Sequence, residues 1–332
     1  MRIAINGFGR IGRIVFKVMF ERGMNVVAVN DVHGSEDAAY LLKYDSVYGK
    51  YGKSVVVKGK NIVVGGKKIL ILSEREPEKL PWKKLGVDVV VEATGAFRSP
   101  DEARRHIKAG AKYVLITAPV KEGKPDLTIV PGVNDEMLKK EHKLISVASC
   151  TTNCLAPMVK VLDDSFGLVK GFMTTVHAYT SSQGLVDGSA RKPRRGRAAA
   201  VNIVPTTSGA TDAVVEVLPK MKGKLNGVAL RVPVSVGSLV DLVAELKDKA
   251  DVKKINSAFQ KAASGKMKGI IEYSDEELVS SDVIGNSHST VFDSLDTQVN
   301  RNLVKVLAWY DNEWGYSNRV ADVVKMLQRF LK

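Results

Sequence analysis

Thiols are among the best nucleophiles a protein carries at neutral pH, and this sequence has two, Cys150 and Cys154, within Ser149-Cys150-Thr151-Thr152-Asn153-Cys154. The motif follows a short apolar run and opens a helical pattern, so Cys150 stands at a helix N-terminus, where the dipole and free backbone N–H groups favour thiolate. Its hydroxyl-bearing neighbours argue against a thiol that merely fills core. Cys154 lies one helical turn further in, beside Leu155 and Ala156, and reads as packing. Of five histidines, His177 sits among hydroxyls in Thr174-Thr175-Val176-His177-Ala178-Tyr179-Thr180 and close to a basic stretch. It is the partner expected for Cys150, as the base that a nucleophilic thiol needs.

A second constellation opens the chain. Asn6-Gly7-Phe8-Gly9-Arg10-Ile11-Gly12 carries the G-x-G-x-x-G pattern directly after an apolar run and ahead of helical spacing, the context that gives this common pattern meaning. Gly7 permits a tight turn, Gly9 lets a pyrophosphate approach the backbone, and Gly12 allows close helix packing, while the helix start offers N–H groups to the anion. Asp31 ends the next apolar run, about 20 residues on, where a carboxylate accepts from an adenosine ribose. Hydroxyls and guanidiniums suited to phosphate recur in separate segments, at Thr180, Arg195, Thr207, Ser208, Gly209 and Arg231. Each alone is ordinary surface chemistry.

Those residues need a scaffold. Arg2 to Asn6, a helix from Ile11 to Arg22 closed by Gly23, and Asn25 to Asn30 form a βαβ unit. Strand-like runs at Ser54–Lys58, Asn61–Val64 and Lys67–Leu72, separated by Gly59-Lys60 and Gly65-Gly66, predict an antiparallel excursion. The buried-strand pattern resumes at Val87–Thr94, and Ser99-Pro100-Asp101-Glu102 caps a helix that Gly110 stops. Short strands at Tyr113–Thr117, Leu127–Val130 and Leu144–Ala148 complete an α/β Rossmann-type dinucleotide-binding domain. After Cys150 the pattern changes to α+β. A helix over Thr151–Asp164 precedes long alternating strands at Gly171–Tyr179, Asn226–Pro233 and Ser238–Glu245, which predict a mixed or antiparallel sheet. Ser181 to Arg197 has no periodicity and carries Arg191, Lys192, Arg194, Arg195 and Arg197, as a functional or interface loop would. Arg301–Tyr310 is a last strand, and Val320–Leu331 an amphipathic helix.

The 332 residues suffice for two domains. With 45% hydrophobic and 26% charged residues the composition is globular, neither disordered nor a disulfide scaffold. Fifty Lys and Arg against 36 Asp and Glu give a net charge of +14, which suits acidic partners but also a plain Lys-rich surface. No apolar stretch approaches membrane-spanning length, and the N-terminus has no signal-peptide character, so a cytoplasmic protein is expected.

Taken together, INGFGRIGR at the start, LLKYDS at 41–46, ASCTTNC at 148–154, TTVHAYT at 174–180, GKLNG at 223–227, RVP at 231–233 and WYDNEWGYSNR at 309–319 resemble the phosphorylating glyceraldehyde-3-phosphate dehydrogenases of the bacterial and eukaryotic type. The segments span nearly the whole chain in order. The resemblance implies a dinucleotide-binding domain over 1–149, completed by a C-terminal helix over 314–332, and a catalytic domain over 150–313 that includes the loop 178–201. It implies that Cys150 forms a thiohemiacetal and then a thioester with glyceraldehyde 3-phosphate, with His177 as base. Thr180 and Arg231 would hold the substrate phosphate, and Ser149, Thr151, Ser208, Gly209 and Arg195 the attacking inorganic phosphate. Gly7, Gly9, Arg10, Ile11 and Gly12 would meet the cofactor pyrophosphate, Asp31 the ribose, Thr94, Gly95 and Thr117 the adenosine and nicotinamide portions, and Asn312 the carboxamide. No metal is implied. The assembly implied is a homotetramer in which the loop 178–201 lies near a neighbour's cofactor.

Three departures bear on specificity. Ser208 replaces the family's usual Thr and keeps the hydroxyl. Asp187 is followed by Gly188-Ser189 instead of Leu-Pro, which resembles members that accept NADP, whereas Asp31 favours the free 2′-hydroxyl of NAD. Use of both NAD and NADP is therefore expected. Val234-Ser235-Val236-Gly237-Ser238 replaces the more usual Thr-Pro-Asn-Val-Ser. Erythrose-4-phosphate dehydrogenase is the alternative enzyme, and His177-Ala178-Tyr179-Thr180 and Pro205-Thr206-Thr207-Ser208-Gly209 argue against it. Nucleic-acid binding through the basic surface is a secondary alternative, unaccompanied by any recognised binding motif. An accessible Cys150 would also be open to oxidation.

Overall fold

The computed structural model describes residues 1–331. The chain divides into two compact units. One comprises Met1–Ile129, Glu136–Ala148 and the chain from Ser317 onward, and the other Val130–Asp135 and Ser149–Tyr316.

In the first unit the strands Ile3–Asn6, Val26–Asn30, Val89–Glu92, Tyr113–Ile116 and Leu144–Ser146 are almost wholly buried apolar runs, the pattern of a sheet covered on both faces. They pair in parallel, with Leu127–Thr128 at one end. Lys67–Leu72 joins Val26–Asn30 in parallel at the other end, and Asn61–Val64 and Val55–Lys58 continue the same sheet antiparallel. The sheet is thus the expected doubly wound one, and the hairpins at 59–60 and 65–66 extend it. Strand order steps from Ile3–Asn6 to Val26–Asn30 on one side and to Val89–Glu92 on the other. That reversal of direction puts a crevice at the carboxyl ends of these strands.

The helix Arg10–Glu21 buries Ile14, Val15, Phe16, Val18 and Met19 against the sheet. The helix expected from Ser99 to Gly110 is two short ones, Pro100–Ala103 and Arg105–Lys108. Ser99 caps the first as expected, in a reciprocal box with Glu102, and at the junction the Arg104 carbonyl accepts from both Ile107, three residues on, and Lys108, four residues on, a tightened turn between the two helices. Trp314–Leu327 is helical, with Val320, Ala321, Val323, Val324 and Leu327 buried. Arg22 ties it to the first unit through Asp322, at 2.6 Å, and Asn318. Gln328–Phe330 then tightens into a 3₁₀ turn, and Lys332, the last residue of the helix implied over 314–332, lies outside the described residues.

The second unit is built on a mixed sheet in the order Val204–Thr207, Leu225–Val232, Leu168–Ala178, Ser238–Leu246, Leu303–Tyr310, Thr290–Asn300, Ile271–Ser274. Leu168–Ala178 runs parallel to Leu225–Val232 and antiparallel to Ser238–Leu246, with His177 opposite Arg231. The helix Cys150–Phe166 is buried along most of its length. Phe259 and Phe292, stacked with centroids 3.8 Å apart, anchor the helix Val252–Ser264 to this sheet.

Candidate active site

The turn into the helix Cys150–Phe166 is tight. Ala148 is buried and holds φ +52°, a conformation costly for a residue with a Cβ and concentrated at functional turns. Ser149 caps the helix by accepting from Thr152 N at 3.1 Å, leaving Cys150 as the first helical residue. His177 comes from the end of the strand Leu168–Ala178, and its Nε2 lies 3.4 Å from Cys150 Sγ. Residues 27 positions apart in sequence thus meet as nucleophile and base.

The ionisation differs from the helix-dipole expectation. Cys150 keeps part of its surface open, but its sulfur is packed round by protein, and this desolvation pushes the thiol up. The opposing pull of Arg231, Thr151 and the helix-start amides is smaller. For His177, burial first and Arg231 second push the imidazole down to about 3. At neutral pH the pair is a thiol beside a neutral imidazole. His177 Nδ1 lies 2.7 Å from the Ala178 carbonyl and 2.6 Å from Arg231 Nη1, which itself donates to that carbonyl at 2.8 Å. A carbonyl only accepts and a guanidinium only donates, so Nδ1 serves one or the other. When Nδ1–H donates to Ala178, Nε2 turns a lone pair toward the thiol.

Tyr310, which sequence reasoning passed over inside the WYDNEWGY segment, supports both partners. Its hydroxyl joins Thr151 Oγ1 and Thr175 Oγ1 at 2.9 Å each, and its ring stands edge-on to His177 with centroids 6.0 Å apart. Burial raises its own pKa, so it remains a phenol. Ser238 is a second omission. Its hydroxyl accepts from Ala178 N at 3.1 Å and donates to Asn312 Oδ1 at 2.9 Å, linking the end of the histidine strand to the residue expected at the carboxamide. The departure at 234–238 also acquires a cause in part. Gly237 has φ +92°, and a Cβ there would stand 2.1 Å from the Ser280 carbonyl oxygen.

Two cations lie beside this pair without a carboxylate partner among the described residues. Arg231 is half-buried, its Nε–H has no hydrogen-bond partner among the described residues, and desolvation lowers its pKa. Arg195 reaches Thr206 Oγ1 at 3.0 Å and, at 3.5 Å, Ser182 Oγ and the Thr207 carbonyl. Thr180 bonds the same Ser182 at 2.9 Å. Ser208 and Gly209 start the helix Ala210–Val217, and Lys192 reaches Thr207 Oγ1. Half-buried guanidiniums with no internal anion, ringed by hydroxyls, suit a phosphate group from outside. Gly188 and Ser189 stand exposed in a loop held by Asp187, which accepts from Arg197 Nε at 2.8 Å and from Ala198 N at 2.9 Å.

In the first unit, Gly7, Gly9, Asp31 and Thr94 line one cavity of about 650 Å³ with Asn6 and Phe97. Gly7 holds φ +90°, and a Cβ on it would come within 2.6 Å of Thr94 N, while a Cβ on Gly12 would strike the Gly7 carbonyl oxygen at 2.0 Å. Among the described residues, no heavy atom beyond its chain neighbours lies within 4 Å of where a Cβ on Gly9 would stand, so that backbone is open to an incoming group. Asp31 accepts from Phe8 N at 2.8 Å, fixing the carboxylate across the glycine turn. The cavity lining leaves out Arg10, Ile11, Gly12, Gly95 and Thr117. Arg10 turns its guanidinium to Asp45 at 2.8 Å, and Thr117 Oγ1 donates to the Glu92 carbonyl at 3.0 Å. The residues that do line the cavity, Gly7, Gly9, Asp31 and Thr94 among them, fit an adenine dinucleotide. Among the described residues no group of three or more His, Cys, Asp or Glu side chains is disposed to hold a metal ion, and no helix is long and apolar enough to cross a membrane.

The sequence model described as glyceraldehyde 3-phosphate dehydrogenase, NAD binding domain, matches residues 1–100, and that of the C-terminal domain matches residues 149–312. Glyceraldehyde-3-phosphate dehydrogenase 2 of Bacillus subtilis (strain 168) is 52% identical over 335 residues, covering 100% of this chain and 98% of the relative. The chain belongs to the glyceraldehyde-3-phosphate dehydrogenase family. The glyceraldehyde-3-phosphate dehydrogenases of Mycobacterium avium and Borreliella burgdorferi are each 52% identical, covering 100% and 98% of this chain and 99% of each relative. The Rossmann-type and α+β architecture is that of the glyceraldehyde-3-phosphate dehydrogenase family. Neither the erythrose 4-phosphate nor the nucleic-acid alternative gains support from these relatives.

Proposed function

We propose that this protein is an NAD-dependent, phosphorylating glyceraldehyde-3-phosphate dehydrogenase that converts glyceraldehyde 3-phosphate and inorganic phosphate to 1,3-bisphosphoglycerate, a step of glycolysis and gluconeogenesis. The observation that carries the reading is the 3.4 Å approach of His177 Nε2 to Cys150 Sγ beside two guanidiniums that have no carboxylate partner among the described residues. Cys150 Sγ attacks the aldehyde carbon, the carbonyl π bond breaks, and the thiol proton passes through His177 to the oxygen, giving a thiohemiacetal. His177 Nε2 then takes that hydroxyl proton back as the carbonyl reforms. NAD, when bound, supplies the acceptor for the hydride that leaves the same carbon. The thioester left on Cys150 is attacked by a phosphate oxygen; the C–S bond breaks, the acyl phosphate departs, and His177 returns a proton to sulfur.

Thr180 and Arg231 hold the substrate phosphate, and Ser149, Thr151, Ser208, Gly209 and Arg195 the attacking one. The glycine turn, Arg10, Ile11 and Asp31 hold pyrophosphate and ribose, Thr94, Gly95 and Thr117 line the rest of the cofactor, and Asn312 holds the carboxamide. Gly188 and Ser189 leave room for a 2′-phosphate, so NADP serves beside NAD. The protein works in the cytoplasm as a homotetramer. Phe172, 71% exposed on the strand Leu168–Ala178, and Leu185, 83% exposed in the basic loop, support burial against further copies.

Initial rates with glyceraldehyde 3-phosphate, with and without phosphate, with NAD and NADP separately, and with Cys150→Ser test the reading. Reduction that requires phosphate and vanishes in the variant is expected. A rate indifferent to phosphate refutes thioester phosphorolysis, and a large preference for NAD refutes dual use.

A further inference from the structure

Behind the cofactor cavity lies a chain of buried polar side chains that the proposed reaction does not use. Trp82, His106 and Glu92 are 0%, 0% and 2% exposed. Trp82 Nε1 donates to His106 Nδ1 at 3.0 Å, and His106 Nε2 lies 3.0 Å from Glu92 Oε2. An indole N–H only donates, so Nδ1 must accept, and the imidazole proton sits on Nε2 and points at Glu92. Glu92 accepts further from Asn6 Nδ2 at 2.6 Å, from Thr94 N at 2.8 Å and from the Thr94 hydroxyl. The carboxylate thus has about as many donors as its lone pairs can serve, from groups that are all neutral.

Two of those donors form walls of the cavity. Asn6 ends the first strand and accepts from Asn30 Nδ2 at 2.7 Å. Thr94 packs on the glycine turn, since a Cβ on Gly7 would meet its N at 2.6 Å. The Thr94 hydroxyl also accepts from Ala96 N at 3.0 Å. Asn6, Gly7, Asn30, Thr94 and Ala96 line the cavity; Glu92, His106 and Trp82 do not.

We propose that Glu92 and His106, with the imidazole tautomer set by Trp82, are positioning residues for the dinucleotide, holding Asn6 and Thr94 on either side of the glycine turn through one shared carboxylate. This rests on the assignment of that cavity to NAD. Carboxylate in place of amide matters, because an acceptor facing four donors must offer no hydrogen of its own. Glu92→Gln turns an N–H toward donors that have nowhere else to go, and the two walls move apart.

The test measures the Kd for NAD by calorimetry, KM and kcat, and thermal midpoint for wild type, Glu92→Gln, His106→Gln, His106→Leu and Thr94→Val. Glu92→Gln and His106→Leu are expected to raise Kd and KM for NAD at least tenfold while kcat falls less than threefold. His106→Gln, whose amide restores a donor near the Nε2 position, recovers part of the loss. Thr94→Val, at the cavity end, carries the test if the buried variants do not fold, and is expected to raise Kd at least threefold. In ¹⁵N spectra His106 is expected as the Nε2–H tautomer, and Trp82→Phe releases that restriction. Lowered thermal midpoints with unchanged NAD affinity would overturn the proposal as a merely structural network. A wild type that fails to bind NAD would overturn the cofactor assignment instead, before any variant is compared.

Discussion

His177→Asn separates two views of how the thiol is activated. In the folded chain the imidazole is pushed down to about 3 by burial and by Arg231, whereas in the unfolded chain it titrates near its ordinary value of about 6.5. Between those values the unfolded state binds the extra proton and the folded state does not, so stability falls as pH drops through the window. At about 1.4 kcal/mol per pH unit, tapering near the two pKa values, this histidine costs the fold about 2 kcal/mol between pH 6.5 and 5, and about 4 kcal/mol by pH 3. Asparagine carries no proton to gain, and its amide oxygen can still accept from Arg231. Urea midpoints of wild type and variant at pH 7 and pH 5 are therefore expected to show a smaller acid loss in His177→Asn, by about 2 kcal/mol. A resting thiolate–imidazolium pair predicts the opposite sign, because a raised imidazole pKa makes the folded state the better proton binder. An equal or larger acid loss in the variant refutes the neutral-pair argument. The same variant lowers kcat by roughly 10²- to 10⁴-fold through loss of the base.

Tyr310→Phe removes the phenol that joins Thr151 and Thr175; leaving both hydroxyls short of a partner is expected to cost about 1–3 kcal/mol, and an unchanged denaturation midpoint counts against the bridge. Arg231→Gln withdraws a half-buried cation, and one or two lost charge-assisted bonds at about 1.5–3 kcal/mol each raise KM for glyceraldehyde 3-phosphate at least tenfold; steady-state kinetics with an unaltered KM would remove Arg231 from the substrate phosphate. Phe172→Glu puts a charge on the exposed face of the sheet, and sedimentation is expected to show smaller species than the wild type; an unchanged assembly places the contact elsewhere.

Much of this protein was legible in local pattern. Buried parallel strands announce themselves as unbroken apolar runs, and the glycine turn can be read because only glycine tolerates the φ of residue 7 and the 2.0 Å approach beneath residue 12. Cys150 was legible because helix caps and hydroxyl neighbours are encoded within a few residues of it. Other elements carried weaker signals. The helix Val252–Ser264 had Asp251 as cap and Ile255 and Phe259 one turn apart, and escaped notice in a polar stretch. The strand Thr290–Asn300 buries Thr290, Asp293, Ser294 and Thr297, which blurs the two-residue alternation.

What the tertiary structure decided is how distant groups alter one another. The helix dipole argued for thiolate at Cys150 from sequence alone, but desolvation depends on how many atoms pack round the sulfur, and that count exists only in the fold. The strand register that sets His177 opposite Arg231 keeps one residue's imidazole neutral partly by the charge of another 54 positions away. Tyr310, Ser238 and the relay from Trp82 to Glu92 have no local signature, since their chemistry lies in partners drawn from separate segments. Sequence determined the turns, caps and buried runs because these are short-range sterics and burial. Proton positions and pKa shifts fell to the tertiary structure, because electrostatic energy is set by distances through space and by the solvent that packing excludes.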